Sequence, residues 1–322
     1  MVCVRRDAGD AAENAPPRIL RCGPEFFLSL PVTSGRRRVS AGTGGHTVSR
    51  SVSGPCRVLI FWTMRYFLEL RYNGAAYCGW QRQPDRPSVQ QTLEGALATL
   101  LRGRVEVTGA GRTDTGVNAS YYVAHFDVPQ PVADPVQTVY KLNFLLPGDI
   151  AVSGMTPVAD DAHARFHACE REYIYLIEPR KNPFTRHMTW QYYVPLDVER
   201  MNRAAEMLPG FRDFTSFAKL NSNNRTNICR VMQARWRTDA DGRLCFTIRA
   251  DRFLRNMVRA IVGTLVDVGR GRYTPEDFRS IVESRDLARS SAGAPAQGLF
   301  LSDVRYPAEV FERRCFTKCD LL

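Results

Sequence analysis

The sequence predicts an α+β fold built from two ferredoxin-like, or RRM-like, units with antiparallel sheets and a basic cleft between them. In the first half of the chain, the patterns run in the order strand, helix, strand, strand, helix, strand. A second series of such patterns begins near Arg165. The chain has 322 residues and a net charge of +11. This length suffices for two ordinary domains, and the excess of cations suits a polyanionic partner.

The first unit begins with a strand, because large apolar residues occupy alternate positions from Tyr66 to Tyr72. Ser88 and Gln91 then form a capping box that opens a helix with one apolar stripe. The remaining elements predicted for this unit are strands at 105–108 and 122–128, a helix at 136–145 and a strand at 150–155.

The second unit begins with a strand at 171–178, where Tyr173 and Tyr175 alternate with Ile174 and Leu176. Thr274 and Pro275 are a typical helix start, with Thr as the cap and Pro at the first helical position. The other predicted elements are helices at 197–208 and 253–268, paired strands at 227–237 and 244–250, and a closing strand at 295–304. No residue-level repeat proves that the two halves are copies of one unit.

Residues 1–63 differ from the rest of the chain in composition. They are rich in Ser, Gly, Arg and Pro, hold nine Arg and no Lys, and carry a net charge of +5. This composition predicts disorder. A basic arm for RNA and a transit peptide are two interpretations. We favour a third, in which translation begins at Met64, where the ordered pattern starts.

These patterns divide the chain into four parts. The parts are a disordered N-terminal extension at 1–63, an N-terminal α/β domain at 64–164, a C-terminal α/β domain at 165–308 and a tail at 309–322.

The nine cysteines predict reduced thiols in a cytosolic protein. Their number is odd, the chain is long, and no clean secretory signal precedes them. Cys315 and Cys319 have no second pair that would complete a zinc site. The apolar runs at 26–30 and 58–62 are too short to span a membrane.

The segment from Gly111 to Val117 is the candidate catalytic loop. Two glycines bracket Arg112 and Asp114, so the carboxylate lies on a shaped loop and not inside a helix. Arg112 has the charge and paired donors to bind a phosphate. Asp-Thr-Gly segments are also common as plain turns, so the residues alone leave both interpretations open.

Other polar residues are candidates only with further support. Arg252, Arg255 and Arg259 have spacings of three and four, which would place them on one face of the predicted helix at 253–268. Such arginines are either surface residues or paired buried ones. His163 and His167 have a spacing seen in metal sites, but no third ligand stands out, so we predict no metal.

Several motifs of this chain resemble those of the tRNA pseudouridine synthase A (TruA) family and follow one another in the same order as in that family. The resemblance extends over about residues 64–306. The motif of the candidate loop is Gly111–Ala119. The other matching segments are 77–83, 142–150, 164–175, 213–217, 253–259 and 294–299. The resemblance begins at Met64, and residues 1–63 have no matching part.

This resemblance implies an isomerase that converts uridine to pseudouridine at positions 38, 39 and 40 of the tRNA anticodon stem-loop. It implies that Asp114 is the essential carboxylate and that Arg259 pairs with it. Tyr173 would stack on the target base, with its hydroxyl placed to move a proton. The family usually has His where this chain has Asn118, so we assign Asn118 no proton-transfer role. Asp114 would abstract a ribose proton, attack the sugar or attack the base.

The resemblance also implies partners and a compartment. Arg112 and the segment with Trp80, Gln81 and Arg82 are candidates to hold the opened RNA backbone. The implied assembly is a cytoplasmic homodimer that binds tRNA and needs no metal or other cofactor. A catalytically silent RNA-binding protein is the alternative. A carboxylate-dependent hydrolase is a third interpretation, but no second acidic residue at a suitable spacing supports it.

Overall fold

The computed structural model describes residues 63–219 and 225–311. The predictions made for residues 1–62 and 312–322 lie outside this described part. Its strands are β1 (Met64–Tyr72), β2 (Val107–Gly109), β3 (Asn118–Val128), β4 (Ile150–Pro157), β5 (Glu170–Glu178), β6 (Trp190–Gln191), β7 (Val231–Thr238), β8 (Leu244–Ala250) and β9 (Leu299–Arg305). Its helices are α1 (Val89–Leu101), α2 (Pro135–Leu145), α3 (Val198–Ala205), α4 (Met257–Gly269) and α5 (Pro275–Ser284). Within these ranges, no helix is long and apolar enough to cross a membrane.

The described strands form one mostly antiparallel sheet. Its path is β4-β1-β3-β9-β5-β8-β7, with β2 also paired to β3 and β6 paired to β5. The parallel contacts in this sheet are β3 with β9 and β5 with β6. The predicted α+β class with antiparallel pairing is therefore confirmed. The domain boundaries drawn from the sequence stay predictions.

The two halves of the sheet have the same strand order. In the first half the order is β4-β1-β3-β2, and in the second half it is β9-β5-β8-β7. When each half is numbered from its own first strand, both orders are 4-1-3-2. A helix follows the first strand and the third strand in each half, as in a ferredoxin-like unit. The repeat is thus one of topology.

A short parallel contact joins the two halves. Asn118 pairs with Phe300, and Ala119 pairs with Leu301. Because Asn118 is the first residue of β3, this junction lies directly after the candidate catalytic loop. The loop is therefore next to β9 of the second half.

Each half has its own apolar core. The first packs α1 and the aromatic residues Trp80 and Tyr122 against β1 and β3, and the second surrounds α4 and includes Trp236 and Phe246. Side-chain caps begin the flanking helices as predicted. Ser88 accepts a hydrogen bond from the Gln91 amide at α1, which is one half of the predicted capping box; the return bond from the Gln91 side chain is not formed within the described residues. Thr274 forms a complete capping box at α5.

Several element boundaries differ from the predictions. Strand β7 begins at Val231 and not at residue 227, and helix α3 ends at Ala205 and not at residue 208. Three other differences lie next to the site. Helix α4 begins at Met257 and not at residue 253, because Asn256 has a left-handed backbone with φ of +65°. Strand β3 begins at Asn118 and not at residue 122, because its polar first residues pair with β9 and do not extend the apolar pattern. Strand β9 begins at Leu299 and not at residue 295, because Ala296–Gly298 forms a 3-10 turn.

Candidate active site

The loop that carries Asp114 connects β2 to β3. At its start, the Ala110 amide donates to the Val123 carbonyl at 2.8 Å. At its end, the Val117 amide donates to the Asp114 carbonyl at 3.1 Å, which closes a tight turn. Gly116 has φ of +76°, a backbone conformation that glycine adopts without strain. The main chain on both sides of the carboxylate is therefore fixed.

A second segment holds the loop from the side. The Tyr72 and Thr113 hydroxyls are 2.9 Å apart and hydrogen-bonded. The Trp80 amide approaches the Thr113 carbonyl at 3.4 Å. Gly79 allows this approach, because a Cβ built on it would lie 2.3 Å from the Thr113 carbonyl oxygen. Main-chain contacts therefore attach the 77–80 segment to the catalytic loop.

Trp80 supports the loop from inside. Its side chain is 2% exposed, and its ring stacks on Tyr122 with the centroids 4.2 Å apart. The Tyr122 hydroxyl donates to the Gly111 carbonyl at 2.5 Å, within the loop. We predicted that Trp80 contacts RNA, but in this structure its ring is packed in the core. The ring instead contacts Tyr122, whose hydroxyl bonds to the loop, and the predicted RNA contact of Trp80 stays a prediction.

Asp114 faces a cation from the second half of the sheet. The Arg255 Nε atom lies 3.3 Å from Asp114 Oδ1. The side chains of Asp114 and Arg255 are 25% and 58% exposed, so solvent reaches the pair. The carboxylate is accessible and is oriented by a guanidinium on a different segment.

The ion pair differs from the one that the resemblance implied. Arg255, and not Arg259, contacts Asp114, whereas Arg259 Nε donates to the Ala294 carbonyl at 2.6 Å. The reason is the late start of α4. Because Asn256 turns the chain, Arg255 precedes the helix and does not share a helical face with Arg259. The prediction that the arginines lie along one helix face was wrong. The catalytic role of Arg259 stays a prediction.

Tyr173 lies on β5 close to this pair. Its ring packs edge-on against Phe253, with the centroids 5.1 Å apart. Burial raises the pKa of the Tyr173 hydroxyl to about 12, the charge of Arg171 opposes this rise, and the charge of Asp114 adds to it. The hydroxyl is therefore protonated at neutral pH and is able to donate a hydrogen bond.

The segment 294–298 joins three parts of the site. Arg259 in α4 donates to Ala294, the Tyr175 hydroxyl in β5 donates to Pro295 at 2.8 Å, and the Asn118 amide in β3 donates to Gln297 at 2.9 Å. Main-chain carbonyls of one short turn thus fix α4, β5 and β3 relative to one another.

Asn118 bridges two segments at the end of the catalytic loop. Its side chain is 2% exposed. Its Oδ1 atom accepts from the Gly74 amide at 2.8 Å, and its Nδ2 atom donates to the Gln297 carbonyl. Both ends of the amide are occupied by main-chain partners. An amide held in this way is a structural bridge.

Comparison with known proteins gives the family. A family profile described as tRNA pseudouridine synthase matches residues 204–307. A tRNA pseudouridine synthase A from Porphyromonas gingivalis is 51% identical over 77% of this chain and 99% of its own length. The proteins of that name from Bacteroides thetaiotaomicron and Bacillus subtilis are 52% and 40% identical, over 77% and 76% of this chain and 92% and 99% of their own lengths.

This chain belongs to the tRNA pseudouridine synthase A family. The family predicted from the motifs is confirmed, and so is the prediction that the protein is an isomerase. The match extends over most of the chain and nearly the whole length of the relative.

The polar residues predicted to hold RNA in this pseudouridine synthase have different environments. Arg112 is exposed, has no ion-pair partner within the described residues, and borders a small pocket with Gln81 and Arg165. Gln81 donates to the Gln90 side chain at 3.1 Å. Arg82 contacts the buried Glu94 carboxylate and is half exposed. Arg112 is therefore the most available cation of this predicted set.

Two contacts in the site were not predicted from the sequence. We assigned no role to Arg171, although its guanidinium lies between the segments that form the site. The alternation of side chains along β5 could have identified this residue, because Arg171 lies on the same face of the strand as Tyr173 and Tyr175. An arginine on that apolar face needs polar partners. The Arg255 contact had no such signal, since it depends on the turn at Asn256.

The described residues contain no group of three or more His, Cys, Asp or Glu side chains placed to hold a metal ion. His163 and His167 are instead used within their own loop, where the His163 amide donates to His167 Nδ1 at 3.2 Å.

Proposed function

We propose that this protein converts uridine to pseudouridine at positions 38, 39 and 40 of the tRNA anticodon stem-loop, with Asp114 as the essential carboxylate. The observation that carries the proposal is the Asp114 site itself. A partly exposed carboxylate on a fixed loop meets Arg255 from the other half of the sheet and lies close to Tyr173. Membership of the pseudouridine synthase family supplies the reaction.

The reaction is an isomerisation, so it needs no external reactant. The bond between uracil N1 and ribose C1′ breaks, the base turns, a bond forms between C5 and C1′, and the C5 proton is lost while N1 gains one. A carboxylate at Asp114 can begin this sequence by removing a ribose proton, by attacking C1′ or by attacking the base. Each route needs the charged form and access to the nucleoside.

Tyr173 is proposed to support the uracil and to supply a hydrogen-bond donor. Its ring is held against Phe253, and its hydroxyl keeps its proton at neutral pH. Stacking of a base on an aromatic ring contributes about 1–3 kcal/mol and tolerates any base. A stacked uridine must first leave the RNA helix, which costs a few kcal/mol.

The two arginines are proposed to act in different ways. Arg255 orients the Asp114 carboxylate in the form described here. Arg259 holds the Ala294 carbonyl. Burial raises the pKa of the Tyr175 hydroxyl, and Arg259 lies close enough for its charge to oppose part of that rise. The catalytic role proposed for Arg259 is to replace or assist Arg255 when the substrate is bound.

The RNA is proposed to lie in a basic cleft between the two halves. Arg112 would contact a phosphate, with Gln81 and Arg82 close by and Trp80 supporting them from the core. We further propose that the protein acts in the cytoplasm as a homodimer. Sedimentation of the purified protein tests the dimer. The expected mass in solution is about twice the 36.4 kDa of one chain.

Single-turnover formation of pseudouridine on an anticodon stem-loop tests the function. The readout is chemical labelling specific for pseudouridine, with RNA affinity measured separately. Asp114→Asn keeps the side-chain shape and removes the charge, so it should abolish product and leave the affinity nearly unchanged.

Asp127→Asn is the matched control. Asp127 also pairs with an arginine, Arg65, but it lies at the far end of β3. The control should retain the wild-type rate. Normal product formation by Asp114→Asn, once reversion by deamidation is excluded, would end the proposal. RNA binding without any product from the wild-type protein would favour a catalytically silent RNA-binding protein.

A further inference from the structure

Arg171 forms several hydrogen bonds near the site, and the proposed reaction gives this residue no role. It lies near the start of β5, where burial lowers the pKa of its guanidinium. The guanidinium donates to four main-chain carbonyls. The acceptors are Ala168 at 3.1 Å, Asp251 at 2.7 Å, Ala110 at 3.0 Å and Arg165 at 2.6 Å. No carboxylate within the described residues pairs with Arg171.

These carbonyls belong to the segments that form the active site. Ala110 is four residues before Asp114, at the start of the catalytic loop. Asp251 is four residues before Arg255, on the strand side of the turn that leads into α4. Arg165 and Ala168 lie in the segment that precedes β5 and borders the pocket beside Arg112. One side chain therefore connects both partners of the ion pair through their backbones.

The chemistry of the contact requires a guanidinium. Carbonyl oxygens that converge from separate segments repel one another unless donors lie between them. A guanidinium supplies five N–H groups in a fixed plane, whereas an ammonium supplies three from a single atom. Arg171 is thus able both to keep these segments together and to fix the distances between their carbonyl groups.

We propose that Arg171 is a positioning residue for the reaction, which sets the distance between the Asp114 loop and the Arg255 segment. The inference rests on the proposed function. The Asp114–Arg255 contact is single and partly exposed, so it cannot itself fix two segments. The hydrogen bonds from Arg171 to the Ala110 and Asp251 carbonyls connect the two segments through their main chains. A displacement of about 1 Å in such a site lowers the rate about 100-fold.

Arg171→Lys tests this inference. It keeps the charge and most of the volume but loses the planar set of donors. We expect the single-turnover rate to fall about 100-fold, with RNA affinity close to wild type and with cooperative folding retained at a lower thermal midpoint, because carbonyl acceptors lose their donors. Arg171→Ala should regain part of its lost rate when guanidinium ion is added at millimolar concentration, because the ion replaces the missing donors.

Arg65→Lys is the matched control. Arg65 is half-buried like Arg171 and also joins two segments, through the Asp127 side chain and the Ala162 carbonyl. It has no contact with the catalytic loop, so its variant should keep the wild-type rate and show no response to added guanidinium.

The outcomes separate this inference from the proposed function. Absence of pseudouridine from the wild-type reaction would remove the proposed function. If the wild type is active and Arg171→Lys reacts at the same rate, the positioning role alone is overturned. Loss of cooperative folding in both Arg171 variants would also overturn it, because Arg171 would then act in folding and not in setting the site.

Discussion

Asp114 is held in place by its neighbours more than by its own side chain. Thr113 and Val117 anchor the loop through main-chain and hydroxyl contacts, whereas the Asp114 carboxylate has the Arg255 ion pair. A change at the carboxylate should therefore leave the loop in position. This separation between support and chemistry is what makes Asp114→Asn an interpretable variant.

Tyr173→Phe separates stacking from proton transfer. Phe keeps the ring and its edge-on contact with Phe253, and the lost hydroxyl has no hydrogen-bond partner within the described residues. We therefore expect the single-turnover rate to fall less than about tenfold, since general acid catalysis would contribute about 10²–10⁴-fold. Because the pKa of Tyr173 is raised to about 12, its titration should not appear in the rate profile between pH 6 and pH 9. A loss of 100-fold or more would assign the hydroxyl a proton-transfer role.

The two arginines near Asp114 can be ranked by the same substitution. Arg255 is exposed and contacts the carboxylate through one nitrogen, so the ammonium of Arg255→Lys can replace its charge. Arg259 is more buried and donates to Ala294, so Arg259→Lys loses the planar guanidinium. We expect Arg255→Lys to lower the single-turnover rate less than about threefold and Arg259→Lys at least about tenfold. The reverse order would make Arg255 the cation that matters during the reaction.

Among the elements, α4 shows most clearly what the sequence could not reveal. Its apolar pattern continues without a break from Phe253 to Val268, so periodicity alone predicts one helix. The left-handed residue Asn256 ends that continuity, because it acts as the N-cap and its carbonyl accepts from the Ala260 amide. Asn is the non-glycine residue that adopts this backbone most readily. The four residues before α4 are thereby free to carry Arg255 to Asp114.

Substitutions at Asn256 test this start of the helix. Ala in a left-handed backbone costs about 1–2 kcal/mol relative to a residue that tolerates it. Asn256→Ala should therefore lower the free energy of unfolding by at least about 1 kcal/mol in urea titrations. Asn256→Gly should remain close to wild type, because glycine has no Cβ. Equal stability of the two variants would show that the backbone at Asn256 is not strained.

Elements with strong local signals were predicted well, and those that depend on distant contacts were not. The boundaries of β5 and α2, and the start of α5, agree with the predictions within one residue, because alternation, the Asp134 cap and the Thr274 cap specify them locally. The start of β3 depends on pairing with β9, which lies about 180 residues later in the chain. No pattern within β3 itself carries that information.

His125 connects β3 to the segment before β5 and makes that contact sensitive to acid. Its Nδ1 atom accepts from the Ala164 amide at 3.1 Å, and its ring packs on His163. Burial lowers the pKa of His125 to about 4, with added repulsion from Arg65 and His163 and an opposing effect of Asp127. The stabilising contribution of neutral His125 is therefore full above the unfolded pKa near 6.5 and is lost as the pH falls towards 4.

The expected size of this effect is roughly 3 kcal/mol between neutral pH and pH 4. His125→Asn keeps an acceptor for the Ala164 amide and does not titrate, so its loss of stability over that range should be smaller. Urea titrations of both proteins at several pH values measure the difference. Parallel loss in the two proteins would assign the acid sensitivity to other groups.

At the scale of the whole molecule, the site results from joining two similar halves. Each half contributes one partner of the ion pair, and the parallel contact between β3 and β9 brings the two together. Neither half alone contains both Asp114 and Arg255. The sequence predicted two units of one kind, but it could not reveal that their sheets join, since the strand pairing at the junction is short and joins Asn118 and Ala119 to Phe300 and Leu301.

The net charge of the molecule predicts how binding responds to salt. Each phosphate neutralised by a cation lowers the logarithm of affinity by about 0.9 per unit of log salt for duplex nucleic acid. If several arginines contact the stem, affinity for an anticodon stem-loop should fall steeply between about 50 and 200 mM salt.

Arg112→Gln should weaken binding and reduce the magnitude of the slope by about 1, because Arg112 is exposed and has no acidic partner within the described residues. Arg104→Gln is the control, since Arg104 is also exposed but pairs with Glu106 at 2.6 Å, and its slope should remain that of the wild type. An affinity that does not change with salt would show that the basic charge of the protein is not used on RNA.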